Sequence, residues 1–136
     1  MAGEARYRLE GFAVPAELDR VHALIDRVRA DHPEVDPSVF VLFGTAVIEI
    51  AGNVVEHGRP EGEVRWRLIV TIDEGEIRAD LTDTAHEAVV DLDADMPDAE
   101  AEAGRGLPLT RALVDELSVE RTPHGNHWRL VRRLPA

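Results

Sequence analysis

One long helical pattern constrains the fold more than any other feature of this sequence. It begins at Asp36-Pro37, where an aspartate suited to the N-cap precedes a proline suited to the first turn, and it stops at Gly58. Its apolar residues form one stripe on a helical wheel: Val39, Phe43, Ala46, Val47, Ile50 and Val54. The pattern predicts a core-facing helix over residues 37–57.

Two polar residues lie beside this apolar stripe. Glu49 and Asn53 are four positions apart, so both project from one helix face at the border of the predicted core. A carboxylate and an amide in this arrangement can share a Mg²⁺ ion and orient a proton acceptor, because hard cations take oxygen ligands. On helical spacing alone, a hydrogen-bonded Asn and a solvated Glu are the simpler interpretation, so the pair needs support from other motifs.

The strand-like segments predict a sheet. A weakly alternating segment at 6–13 predicts a first strand. One hairpin is predicted to join 64–72 to 77–82, and a second to turn around 123–126.

Two further helices are predicted to cover that sheet. One begins at Pro15 and carries a single apolar stripe, and another begins near Leu107. The second is expected to bury Leu109, Ala112, Leu113 and Leu117. The chain is therefore predicted to be one α/β domain over residues 1–136, more closely an α+β two-layer sandwich. Its sheet is expected to be mixed, mostly antiparallel, and covered on one face by helices.

Two more motifs follow the pair on the long helix. Asp83 ends the apolar strand pattern, and Gly104-Arg105-Gly106-Leu107 opens the last helical pattern. This order resembles the N box, Asp box and second glycine box of the histidine-kinase-like ATPase superfamily. Within it, the sequence is most similar to bacterial anti-sigma-factor serine/threonine kinases. The resemblance covers about 36–134 and implies a Bergerat-type ATP-binding fold with ATP and Mg²⁺ as cofactors.

The resemblance also implies a role for each motif residue. Asn53 would ligate the Mg²⁺ that bridges the ATP phosphates. Glu49 would accept the proton of an attacking serine or orient its hydroxyl. Asp83 would accept a hydrogen bond from the adenine amino group.

The glycine motif would supply the phosphate site. Gly104 and Gly106 would let backbone N–H groups approach the phosphates where the helix near Leu107 begins, and Arg105 would neutralise phosphate charge. Ala85 departs from the family pattern, which has glycine at this place. The departure is expected to narrow the adenine pocket or to force a different turn, and so to weaken nucleotide binding.

The segment that corresponds to the family's ATP lid is strongly acidic. From residue 83 to residue 103 it holds eight carboxylates and no arginine: Asp83, Glu87, Asp91, Asp93, Asp95, Asp98, Glu100 and Glu102. The spacing Asp91-x-Asp93-x-Asp95 echoes a calcium loop, but Met96-Pro97 replaces the turn glycine. A solvated, partner-facing acidic loop is the preferred interpretation.

Composition excludes several other function classes. The chain has no Lys, which rules out a Walker-type P-loop, and no Cys, which rules out disulfides and thiolate zinc sites. Its formal net charge of −12 argues against direct binding of nucleic acid or of anionic membranes. With no recognisable signal peptide and no run judged long enough to cross a membrane, a cytoplasmic location is expected.

Three functions fit these observations. The first, implied by the resemblance, is a kinase that phosphorylates a STAS-domain anti-sigma-factor antagonist and also binds a sigma factor; a homodimer is compatible with it. The second is a non-catalytic binding module of the same fold, favoured by Ala85 and the acidic segment. The third, an ATPase half of a phosphorelay, is the least favoured, because no phospho-acceptor helix precedes the motifs.

Overall fold

Five strands and three helices make up the described part of the chain. The computed structural model describes residues 3–60, 62–86 and 106–135. The strands are β1 (Ala5–Phe12), β2 (Arg65–Ile72), β3 (Glu76–Asp83), β4 (Glu116–Thr122) and β5 (Gly125–Arg133). The helices are α1 (Leu18–Asp31), which follows a short 3₁₀ turn, α2 (Pro37–His57) and α3 (Gly106–Leu113).

The strands form one sheet in the order β1-β2-β3-β5-β4, and all four described pairings are antiparallel. β5 lies between β3 and β4, so the last hairpin extends the sheet by pairing β5 with the free edge of β3. In this register Asp83 on β3 lies opposite Trp66 on β2 and Asn126 on β5. The predicted two-layer α+β fold is confirmed.

The helices cover one face of the sheet. Alternate strand residues such as Leu68, Ile77 and Leu130 point into this layer and are fully buried. The predicted stripe of α2 is buried along its whole length, and α2 packs across β3 and β5 with α1 and α3 beside it. Each large apolar side chain that is fully buried contributes about 1.5–3 kcal/mol to folding, so α2 is the main organiser of the core.

A glycine allows the two long helices to approach each other. A Cβ added at Gly44 would lie 3.0 Å from a side-chain methyl carbon of Ile25. Because real Cβ contacts are rarely this short, a larger residue at Gly44 would push α1 away from α2. The helix pair thus depends on a small residue in the middle of α2.

α2 is also long and apolar enough to cross a membrane by length and composition. No such run was expected from the sequence. Half of the apolar window is buried inside the protein, however, against the sheet and the neighbouring helices. A central helix buried on this scale is as rich in apolar residues as a membrane-spanning helix, so its composition does not distinguish the two.

The predicted buried face of the last helix holds only for Leu113, which is partly buried against the core. Leu109 is 48% exposed and Ala112 is exposed, whereas Thr110 is fully buried. Leu117 lies not on the helix but on β4, opposite Leu130. The prediction treated four apolar residues as one helical face, but α3 ends at Leu113 and the chain then turns into a strand.

Candidate functional site

The N-terminus of α2 is fixed by a capping hydrogen bond. Asp36 Oδ1 accepts the backbone N–H of Ser38 at 2.9 Å, and Pro37 occupies the first turn. This backbone hydrogen bond lowers the pKa of the Asp36 carboxyl from its usual 3.8, because it favours the charged form. The cap sets where the helix begins, and hence where the residues further along it lie.

Glu49 and Asn53 project from α2 as the spacing predicted. Asn53 is half-buried, and Glu49 is exposed and borders a groove between α1 and α2. α2 packs across β3 and β5 and along α3. The pair therefore lies on the side of the sheet toward which Asp83, the last residue of β3, projects its side chain. An exposed carboxylate is accessible to an incoming partner, while a half-buried amide is better placed to be held in one orientation.

Asp83 is the centre of a buried hydrogen-bond cluster. Its side chain is 5% exposed and points into the helical layer. Oδ1 accepts the backbone N–H of Ala85 at 2.9 Å and the side-chain amide of Asn126 at 2.9 Å. Oδ2 accepts the indole N–H of Trp128 at 3.0 Å. These four residues, Asp83, Ala85, Asn126 and Trp128, are named the Asp83 cluster below.

Three donors of the Asp83 cluster occupy most of the hydrogen-bonding capacity of the Asp83 carboxylate. A buried charge is tolerated only when donors replace its lost water, and three donors do so here. A carboxylate offers about four lone-pair positions, so about one acceptor position remains. Asp83 can therefore accept one further donor while it keeps all three protein contacts.

Ala85 sits in a turn that needs no glycine. Within the described residues, no residue other than glycine has a positive φ. The carbonyl of Ala85 accepts a hydrogen bond from Arg121 at 2.7 Å, and the neighbouring Thr84 and His86 donate their backbone N–H groups to the carbonyls of Arg65 and Arg59. The backbone after Asp83 is therefore held by hydrogen bonds on both sides and accommodates alanine, and weaker nucleotide binding stays a prediction.

Gly125 supports the same cluster from β5. Its φ is +153°, and a Cβ added there would lie 1.7 Å from the carbonyl oxygen of Asp83. Only glycine permits this approach of the β5 backbone to the end of β3. Gly125 thereby places the neighbouring Asn126 within reach of the Asp83 carboxylate.

These partners of Asp83 were not predicted from the sequence. Gly125-Asn126 was interpreted as a plain hairpin turn, and Trp128 was not considered. Two signals were available: a Gly-Asn pair opening a strand, and an apolar strand position filled by the one aromatic type with an N–H donor. Neither signal could reveal that the strand lies beside β3, because that follows from the crossover through α3.

The glycine motif is described only in part. Gly106 begins α3, as predicted, and Leu107 lies in its first turn. Gly104 and Arg105 lie outside the described residues, as do Asp91, Asp93, Asp95 and Glu102. α3 runs along α2. The backbone N–H groups that open α3 thus belong to the same layer as Asn53.

The two histidines of the last hairpin have separate surroundings. His124 is exposed in the turn, whereas His127 places Nε2 2.8 Å from Oδ1 of Asp80. Within residues 3–60, 62–86 and 106–135, no group of three His, Asp or Glu side chains is arranged to hold a metal ion.

A family model described as the histidine kinase-like ATPase domain matches residues 13–132, which include α2, the Asp83 cluster and α3. No curated protein matches the chain.

Proposed function

The chain belongs to the histidine kinase-like ATPase domain family, and from this premise we propose that it is a protein serine/threonine kinase acting on an anti-sigma-factor antagonist. Family membership implies ATP binding. The observation that carries the proposal is the joint placement of three features on one side of the sheet. These are the Glu49 and Asn53 pair on α2, the buried carboxylate of Asp83, and the beginning of α3.

The described residues fit ATP with Mg²⁺. Asp83 retains about one acceptor position, which suits a single N–H of the adenine amino group. Asn53 offers an amide oxygen of the kind that Mg²⁺ takes, and the first N–H groups of α3 suit phosphate oxygens. Bound ATP with Mg²⁺ would supply the phosphoryl group for transfer.

Glu49 has the properties of a proton acceptor for an incoming hydroxyl. It is exposed and stands one helical turn before Asn53, so a serine side chain of a partner protein can reach it without entering the core. It would take the hydroxyl proton as the serine oxygen attacks, or orient that hydroxyl for attack. Asn53 would hold the metal one turn away from this event.

The proposed substrate is a STAS-domain antagonist of an anti-sigma factor. In this account the chain binds either that antagonist or a sigma factor, and phosphorylation of the antagonist decides which of the two complexes persists. The supporting observations are the motif set and the family match. We further propose a cytoplasmic location, since both partners act on transcription.

One observation favours a second function, a non-catalytic binding module with weak or no nucleotide binding. Asn126 and Trp128 already donate to the carboxylate oxygens of Asp83, and these oxygens are the acceptors through which an adenine would be recognised. A nucleotide must share the carboxylate with them. If sharing fails, the fold would still present its surfaces to a protein partner.

Phosphoryl transfer separates the two functions. The chain is incubated with [γ-³²P]ATP, Mg²⁺ and a panel of recombinant STAS-domain proteins, and labelled protein is resolved by electrophoresis. The kinase predicts that Glu49→Gln removes labelling while nucleotide affinity changes less than about threefold, because Glu49 acts in transfer and not in binding. Exposed Glu56, on the same helix, provides the matched control Glu56→Gln. Equal labelling by wild type and Glu49→Gln would contradict the assigned role.

A further inference from the structure

The sheet has a second face that none of the described helices covers. On each strand the residues that alternate with the core residues point away from the helical layer. This surface is called the open face. Its arginines are Arg6, Arg8, Arg65, Arg67, Arg78, Arg129 and Arg133.

The open face reverses the charge of the rest of the protein. It carries seven of the 15 arginines. Its carboxylates are Glu10, Glu76, Asp80, Glu116 and Glu120. Seven positive and five negative groups give this face a formal charge of +2, and because the whole chain carries −12, the remainder carries −14. Nearly half of the arginines but only five of the 27 acidic residues thus lie on one face of an acidic molecule.

Some of these arginines form no direct ion pair within the described part of the chain, although Arg67 lies opposite Glu10 and Arg129 lies opposite Asp80 across the sheet. Arg8 pairs with Glu10, and Arg78 pairs with Asp80 at 3.1 Å. Among the described residues, no carboxylate lies within ion-pair distance of Arg65, Arg67 or Arg129. Guanidinium groups of this kind are suited to bidentate contacts with carboxylates.

One end of the open face is shaped to receive a side chain. Phe12 is 44% exposed, and the guanidinium of Arg65 stacks over its ring at 5.2 Å. Phe12, Arg65, Arg67, Thr82 and His124 are among the residues that line a hollow there. Aromatic rings and arginines are the residue types that contribute most at protein interfaces.

We propose that the open face is a docking surface for an acidic segment of a partner protein. Asp and Glu side chains of that segment would pair with Arg65, Arg67 and Arg129, and an apolar side chain would pack on Phe12. Five strands about 4.8 Å apart and about 26 Å long present a face of roughly 500 Å², the scale of one side of a transient interface. The proposal is independent of nucleotide.

Charge arrangement selects this occupant over two others. A nucleic acid presents unbroken negative charge, which would meet the five carboxylates interspersed among the arginines and the −14 of the remaining surface. A second copy joined face to face would bring two +2 surfaces with the same arginine rows together. The carboxylates of an acidic protein segment can be spaced along the segment so that each one meets an arginine and none faces a carboxylate of the open face.

The test uses the full chain and a fluorescein-labelled 12-residue peptide in which Asp or Glu alternates with Gly or Ser around one central Leu. Anisotropy is measured at 50 mM salt without nucleotide. We expect saturable binding, weakened at least tenfold at 300 mM salt and at least tenfold in the double variant Arg65→Glu/Arg129→Glu. The matched control Arg27→Glu/Arg29→Glu makes the same charge change on exposed positions of α1 and should change affinity less than twofold.

A nuclear magnetic resonance titration of the wild-type protein tests the same proposal without substitutions. In ¹⁵N-labelled wild-type protein, the peptide should shift backbone and arginine side-chain signals of β2 and β5 and leave α1 unchanged. The proposal is overturned if the peptide does not bind at millimolar concentration, or if the control pair loses as much affinity as the open-face pair. It is also overturned if an oligo-dT of equal charge binds more tightly at these residues, or if the face proves to be covered by a second copy in solution.

Discussion

Replacing Trp128 with phenylalanine should reveal what the buried Asp83 carboxylate requires. The change removes the indole N–H that donates to Asp83 Oδ2 at 3.0 Å and leaves an aromatic ring in the core. A hydrogen bond to a charged group contributes about 1.5–3 kcal/mol to stability, and a neutral one about 0.5–1.5 kcal/mol. We expect Trp128→Phe to lower the free energy of unfolding by about 2 kcal/mol from this bond, in addition to the smaller ring volume.

The chain contains its own matched control. Trp66 is also buried, and its indole N–H donates to the neutral backbone carbonyl of Phe12 at 2.8 Å. Trp66→Phe makes the same change of volume but removes only a neutral hydrogen bond, so it should cost about 1 kcal/mol less than Trp128→Phe. At this chain length the difference corresponds to about 4 °C in Tm.

Urea unfolding followed by far-ultraviolet circular dichroism measures both variants, because each retains only one tryptophan and fluorescence would not be comparable. Equal losses in the two variants would refute the reasoning that Asp83 is a charged acceptor that needs its indole donor. A second readout is nucleotide affinity. Trp128→Phe frees an acceptor position on Asp83 and should tighten binding of a fluorescent ATP analogue about two- to tenfold, whereas Trp66→Phe should leave it unchanged.

Three further predictions follow from the described contacts. Gly125→Ala should lower the free energy of unfolding by at least about 2 kcal/mol, since its Cβ would meet the Asp83 carbonyl. Gly52→Ala, at a helical position with open space, should raise it by about 0.5–1 kcal/mol, and the same urea unfolding measures both. Ala85→Gly should give no gain in nucleotide affinity by calorimetric titration, because the turn already accepts alanine, and a tenfold gain would contradict this. Asp36→Ala should weaken α2 at neutral pH. The folded-state pKa of Asp36 is lowered, so its contribution to the free energy of unfolding is complete above the usual pKa of 3.8 and is lost as the pH falls through the lowered value. The free energies of unfolding of wild type and variant should therefore converge in acid.

The fold was predictable where one element carried its own signals. Asp36-Pro37 and Gly58 mark both ends of α2, and the apolar stripe between them is buried as predicted. The hairpins were found from alternation and turn residues. α3 was placed correctly, but its buried face was not, because an eight-residue helix gives too few turns for periodicity to fix its phase.

The candidate site was predictable only as separate motifs. Glu49 and Asn53 follow from spacing along one helix, and Asp83 from its place at a strand end. The contacts of Asp83 with Asn126 and Trp128 join residues more than 40 positions apart. They depend on β5 pairing with β3, which local sequence does not encode. The open face was missed for the same reason, because its arginines are scattered along the chain and are gathered only by the sheet.

The most direct test of the central claim is a calorimetric titration of the full chain with a non-hydrolysable ATP analogue, with and without Mg²⁺, alongside Asn53→Ala. The account predicts saturable binding that Mg²⁺ strengthens in wild type, and an Asn53→Ala variant in which Mg²⁺ gives at least tenfold less strengthening. Absence of binding at millimolar nucleotide, or equal strengthening by Mg²⁺ in the variant, would contradict an ATP-dependent kinase and leave a nucleotide-free binding module.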